Sequence, residues 1–150
     1  MFQVQVLMGA QRNYMEIEKD KIIEIAKKHK LKMLLLFGSQ ASGRVKPDSD
    51  FDIAYLPKES FDTKQILELN GDLMDIFHSE RIDQVNIRQA SPLLLHEISR
   101  NSKLLFGQEI DYIRFKTRAF RVFVDSASLF RLQDALIKKR QQFLSERLYA

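Results

Sequence analysis

Apolar positions along the chain switch between two periods. In "MEIEKDKIIEIAKKHKLK", Ile17, Ile22, Ile23, Ile25 and Ala26 fall close to helical spacing and predict a helix. Met33–Phe37 is a short unbroken apolar run, expected as a buried strand, and Gly38-Ser39 closes it. "SGRVKPDS" reads as a loop punctuated by Gly43 and Pro47. Asp50–Leu56 reads as a second strand, ended by Pro57. "FDTKQILELNGDLMDIF" predicts an amphipathic helix. Asp62 and Gln65 form a capping-box pattern at its start, and Ile66, Leu69, Leu73, Met74 and Phe77 make its apolar face. "RIDQVNI" alternates and predicts a third strand. Ser91-Pro92 places an N-cap before a proline at the first helical position, opening a helix through about Asn101.

From Asp111 to Leu148 there is no Gly or Pro, and Phe120, Phe123, Val124, Ala127 and Phe130 form an apolar stripe. That segment is expected to be helical, with Ser126 and Ser128 marking a break. The order is helix, strand, strand, helix, strand, helix, helical tail. It predicts an α/β (α+β) fold: a small mixed sheet with flanking helices.

Composition narrows the class. At 150 residues the chain fits one domain with a real core. A hydrophobic share of 45% and a charged share of 29% are ordinary for a globular protein. No apolar run approaches the roughly 20 residues of a membrane span, and the N-terminus lacks the pattern of a signal peptide. The absence of cysteine excludes a disulfide framework and a Cys-based zinc site, which is compatible with a cytoplasmic protein.

The net charge of +4 is uneven. Residues 111–150 carry nine Lys/Arg against four Asp/Glu, and residues 1–110 carry fifteen against sixteen. The basic character therefore belongs to the tail, which can meet an acidic protein face or nucleic acid, or be a solvated helix face. "IKKRQQF" is basic but lacks the aromatic or Gly-rich context of an RNA-binding segment, so direct nucleic-acid binding is not expected.

The second strand poses a chemical problem. Alternate side chains on a strand share a face, so Asp50 and Asp52 point the same way, while Phe51 and Ile53 do not fit a simple in/out alternation with them. Two like charges so close repel, and one carboxyl tends to stay protonated. A divalent cation relieves that cost, and Mg²⁺ prefers a few carboxylates together with phosphate oxygens and water. Gly38-Ser39 offers the complementary half: a backbone free to approach a ligand, and a hydroxyl donor for phosphate. If the third strand pairs beside the second, Asp83 completes a carboxylate trio. Such a trio can hold two metals about 3.5–4 Å apart, one acting on an attacking hydroxyl and the other on the leaving pyrophosphate. Taken singly, Gly-Ser is a turn, Asp-x-Asp is a common loop pattern and Asp83 is a strand-edge acid. His29, His78 and His96 have no second ligand at metal spacing and are expected to take structural or surface roles.

"GSQASGRVKPDSDFD" resembles the signature of the polymerase-β-like nucleotidyltransferases: Gly-Ser, ten residues, Asp-x-Asp, with Gly43 and Ser49 also in place. With "IDQVNIRQASPLLLHEISRNSKLLFG", the chain is similar more narrowly to minimal nucleotidyltransferases, the MntA-type antitoxins of HEPN/MNT toxin–antitoxin pairs. The resemblance covers roughly Lys21 to Gly107. It implies that Gly38 and Ser39 hold the triphosphate of ATP, that Asp50 and Asp52 bind Mg²⁺, and that Asp83 is a third carboxylate acting as base or metal ligand. It also implies transfer of AMP to a tyrosine hydroxyl of a partner HEPN ribonuclease toxin. Relatives often carry a second acid in the third strand where this chain has Asn86, which cannot act as a base.

Residues 1–14 are expected to be an extension ahead of a start at Met15, residues 15–107 the nucleotidyltransferase core, and residues 108–150 a helical C-terminal segment. Two other functions compete. A non-catalytic antitoxin would neutralise the toxin by covering it, with the tail as interface. A small-molecule nucleotidyltransferase, such as those acting on aminoglycosides, generally needs an added domain, and about 40 residues follow the last core helix.

Overall fold

The computed structural model describes residues 19–42 and 50–149. The expected 1–14 extension and the loop residues Gly43, Pro47 and Ser49 lie outside the described residues. The first helix, α1, is Lys19–Lys28, with Ile22 and Ala26 buried. The sequence pattern carried this helix on to Lys32. It stops earlier because Lys30 turns left-handed (φ 51°), with its N–H bonded to the Lys27 carbonyl at 3.1 Å. Strand β1 then starts at Leu31 rather than Met33 and runs to Phe37.

A single turn, α2 (Ser39–Ser42), follows. Strand β2 is Phe51–Pro57, helix α3 is Thr63–Phe77, and strand β3 is Ile82–Asn86. The Asp62–Gln65 capping box forms as expected: the Asp62 side chain accepts from Gln65 N, and the Gln65 side chain accepts from Asp62 N. Helix α4 is Pro92–Arg100, capped by Ser91. Strand β4 is Ser102–Phe106, an element that the sequence pattern had not disclosed. Helix α5 runs unbroken from Glu109 to Leu148, so Ser126 and Ser128 mark no break.

The sheet order is β3-β2-β1-β4. β1 pairs antiparallel with β2 and β4, and β2 pairs parallel with β3 through the α3 crossover. Both faces are covered. Leu34, Leu36, Ile53 and Tyr55 pack beneath α1 and α3 with Leu69, Leu73 and Ile76. Met33, Leu35, Phe37 and Ala54 pack on the other face against Leu95 and Ile98 of α4 and Phe115 and Ala119 of α5. Burial on both faces explains why β1 reads as a continuous apolar run. It also resolves β2: Phe51, Ile53 and Tyr55 fill one core while Asp52 and Ala54 take the other face, so the alternation is regular.

Two contacts fix the start of α5. The Tyr112 hydroxyl donates to the Ser102 carbonyl (2.9 Å) and shares a 2.7 Å hydrogen bond with the Ser102 hydroxyl. Gly107 has φ +125°, and a Cβ there would lie 2.9 Å from the Lys32 carbonyl oxygen, so the turn from β4 into α5 has no room for a side chain.

Candidate active site

The register of the sheet brings the acids together. Phe37 at the end of β1 is opposite Asp52, and Asp52 is opposite Asp83 across the parallel pair. Asp83 and Asp52 thus sit side by side on neighbouring strands, on the face shared by α4 and α5. Asp52 is half-buried and Asp83 is exposed. Asp50 lies one residue ahead of β2 and is exposed. The expectation that it is a strand residue is corrected: pairing with β1 ends at Asp52. Glycine at 38 then becomes intelligible. It follows Phe37 directly and has φ +72°, and any Cβ would collide with the Asp52 carboxylate. Backbone and carboxylate meet there because no side chain intervenes. Ser39 opens α2 immediately after it.

The electrostatics follow from this packing. Burial pushes the Asp52 carboxyl above the ordinary range, and the charges of Asp83, Asp50 and Glu97 push it further in the same direction. Among the described residues, the charges that act on Asp52 are all those of acids. Adjacent strands stand about 4.8 Å apart. Two full charges at about 5 Å repel by at most about 3 kcal/mol at an effective dielectric of 20, and by less where one of them is exposed, as Asp83 is.

Glu97 was not anticipated from sequence. It is the one acid in "PLLLHEISR", and its relevance depends on α4 covering the Asp52 face, which only the tertiary arrangement reveals.

Among the described residues, no three His, Cys, Asp or Glu side chains form a group that could hold a metal ion by themselves. The acids form an open set beside Gly38 and Ser39. Mg²⁺ typically takes one or two carboxylates and completes its shell with phosphate oxygens and water. A carboxylate with Asp83, Asp50 and Glu97 acting on it, set against a glycine backbone, fits that chemistry.

Asn86 stands apart from the acid row. It is opposite Tyr55, three residues or about 10 Å along β3 from Asp83. Its side-chain oxygen accepts the Arg88 N–H at 3.0 Å, so it caps the turn after the strand. The histidines take structural or surface positions, with His78 exposed. His29 is buried with Nε2 2.6 Å from Asp72, His78 is the left-handed C-cap of α3, and His96 stacks on Phe123 at 3.8 Å.

Strand pairing, acid row and glycine turn together define the class. A family model described as polymerase beta, nucleotidyltransferase matches residues 20–111, and the chain belongs to that family. More particularly, the chain is 30% identical over 123 residues to the protein adenylyltransferase MntA of Aphanizomenon flos-aquae (strain 2012/KM1/D3), spanning 76% of this chain and 81% of that one. It is also similar to a solved structure described as a toxin–antitoxin with AMP-PNP, with TM-score 0.68 and 28% identity over 79% of this chain and 98% of that one. A second, described as a tri-AMPylated Shewanella oneidensis HEPN toxin in complex with MNT antitoxin, matches with TM-score 0.65 and 25% identity over 82% and 98% of the two chains.

Proposed function

We propose that this chain is an antitoxin nucleotidyltransferase that moves AMP from ATP to a tyrosine hydroxyl of a partner HEPN toxin and thereby silences it. The observation that carries the reading is the Asp52–Asp83 pair held beside Gly38 in a chain of this family. The relatives named as adenylyltransferase, and those described with AMP-PNP and with an AMPylated toxin, support the nucleotide and the acceptor class.

In the reaction, the acceptor oxygen attacks the α-phosphorus of ATP. A P–O bond to the acceptor forms, the bond to pyrophosphate breaks, and the hydroxyl proton leaves. Gly38 lets the triphosphate approach the backbone, and Ser39 donates to it. Asp50 and Asp52 would hold Mg²⁺, which would supply positive charge for the phosphate oxygens and the departing pyrophosphate. Asp83 takes up the hydroxyl proton or serves as a further ligand. Positioning and electrostatics carry most of the rate in such transfers.

Residues 15–107 form the catalytic core in this reading, and residues 108–150 serve the partner. A cytoplasmic location follows from a ribonuclease partner. Among the described residues no helix is long and apolar enough to cross a membrane.

The test that separates catalysis from mere covering is protection of cells from the co-expressed toxin. The Asp50→Asn/Asp52→Asn double variant, shown to be folded, is expected to lose protection. Full protection by that variant would favour neutralisation by binding alone.

A further inference from the structure

Helix α5 leaves the body of the protein. Its first turns bury Phe115 and Ala119 in the core, and Phe123 stacks on His96. From Arg131 to Tyr149 every residue is exposed. At 1.5 Å per residue, Arg131–Leu148 is an arm about 27 Å long. Most helical stability in proteins comes from packing an apolar face rather than from the helix alone.

The arm has such a face. Leu132, Leu136, Ile137, Phe143, Leu144 and Leu148 are all about half exposed or more. At about 100° per residue they fall within one half of the circumference, together with Leu129. Near the middle of that half lie Arg140 and Arg147, seven residues and two turns apart. The Arg147 guanidinium lies 4.7 Å from the centre of the Phe143 ring, within the apolar stripe. The acids of the arm are elsewhere: Asp134 and Glu146 fall roughly 100° or more from that middle, and Glu146 accepts a hydrogen bond from Gln142.

This arrangement says what can cover the stripe. A second copy of the chain would bring arginines against arginines, with no carboxylate on the facing stripe of either copy. Burying a cation without a counter-charge is strongly unfavourable. The complementary surface is apolar and carries carboxylates placed to meet two guanidiniums spaced by two helical turns.

We propose that the α5 arm, Arg131–Leu148, is the docking element for the partner protein, seated in an apolar groove of that partner whose acidic side chains pair with Arg140 and Arg147. The identity of the partner rests on the function proposed above; the chemistry of the groove follows from the arm.

The test is co-purification with the co-expressed HEPN partner, read by size-exclusion chromatography with light scattering, alongside AMP transfer to that partner. Two variants are used, R140E/R147E and L136D/L144D. Both alter exposed side chains, so unchanged circular dichroism is the control for folding. Each is expected to weaken the complex by at least tenfold in Kd, and a partner acid reversed to lysine should recover binding of R140E/R147E.

Wild-type binding by both variants overturns the proposal and leaves the transferase standing. So does AMP transfer by a wild-type chain that forms no stable complex. A complex that needs the arm but transfers no AMP keeps this proposal and overturns the transferase. A homodimer that the variants dissolve, or a complex lost on nuclease treatment, overturns it by identifying a second copy or an RNA as the occupant.

Discussion

At the scale of single residues, Gly38 and Asp52 form one unit. Gly38 has φ +72°, and the space a Cβ would need is filled by the Asp52 carboxylate. A Gly38→Ala variant therefore displaces Asp52 as well as straining the backbone. The strain costs about 1–2 kcal/mol. The displacement is expected to lower AMP transfer by more than tenfold, beyond what the modest loss in melting temperature explains. Steady-state kinetics and thermal melts on the same sample check this. Asp52→Asn is expected to reduce transfer by more than about a hundredfold, because it removes a carboxylate that would hold the Mg²⁺ serving the reacting phosphates. It should not destabilise the metal-free protein, since among the described residues the charges that act on Asp52 are those of Asp83, Asp50 and Glu97, all acids. A marked loss of melting temperature in Asp52→Asn would contradict this account of the site.

At the scale of elements, what could be read from sequence depended on whether the signal was local. The strand–turn unit around Gly38, the capping box at Asp62 and the N-cap at Ser91 are local, and all are present. Asp52 and Asp83 were identifiable as acids in strands, but their adjacency is set by the register of a parallel pair. β4 was not legible. "SKLLF" is a five-residue strand at the sheet edge, following α4 after a single residue, with every side chain half-buried and no alternation to mark it. Asp50 was read into the strand because period two continues through it, whereas hydrogen-bonded pairing begins beyond it. Glu97 carried no local signal at all. The capping box offers a clean test: Asp62→Ala should cost about 1 kcal/mol in urea unfolding. Asp62 is exposed, and AMP transfer is expected to be unchanged.

At the scale of the molecule, two long-range features set stability and assembly. α1 and α3 are joined by Asp72, which accepts from Lys28 Nζ at 2.9 Å and lies 2.6 Å from His29 Nε2. Burial works against the Asp72 charge, but the hydrogen bonds and charges of Lys28 and His29 outweigh it and hold the carboxyl below its ordinary value. A carboxyl depressed in the folded state stabilises the fold above its unfolded pKa, about 3.9. That contribution is lost as pH falls from there through the lower folded value. The stability difference between wild type and Asp72→Asn should therefore be full at pH 6 and shrink below about pH 4, as followed by urea unfolding across that range. The second feature is the α5 arm, which places an apolar, arginine-bearing stripe beyond the core that holds the acids.

The most direct measurement is the intact mass of the HEPN partner after incubation with this chain, ATP and Mg²⁺. A gain of whole AMP units that disappears with the Asp50→Asn/Asp52→Asn double variant is the predicted result. An unchanged partner mass, in a mixture where the two proteins bind tightly, would contradict the transferase.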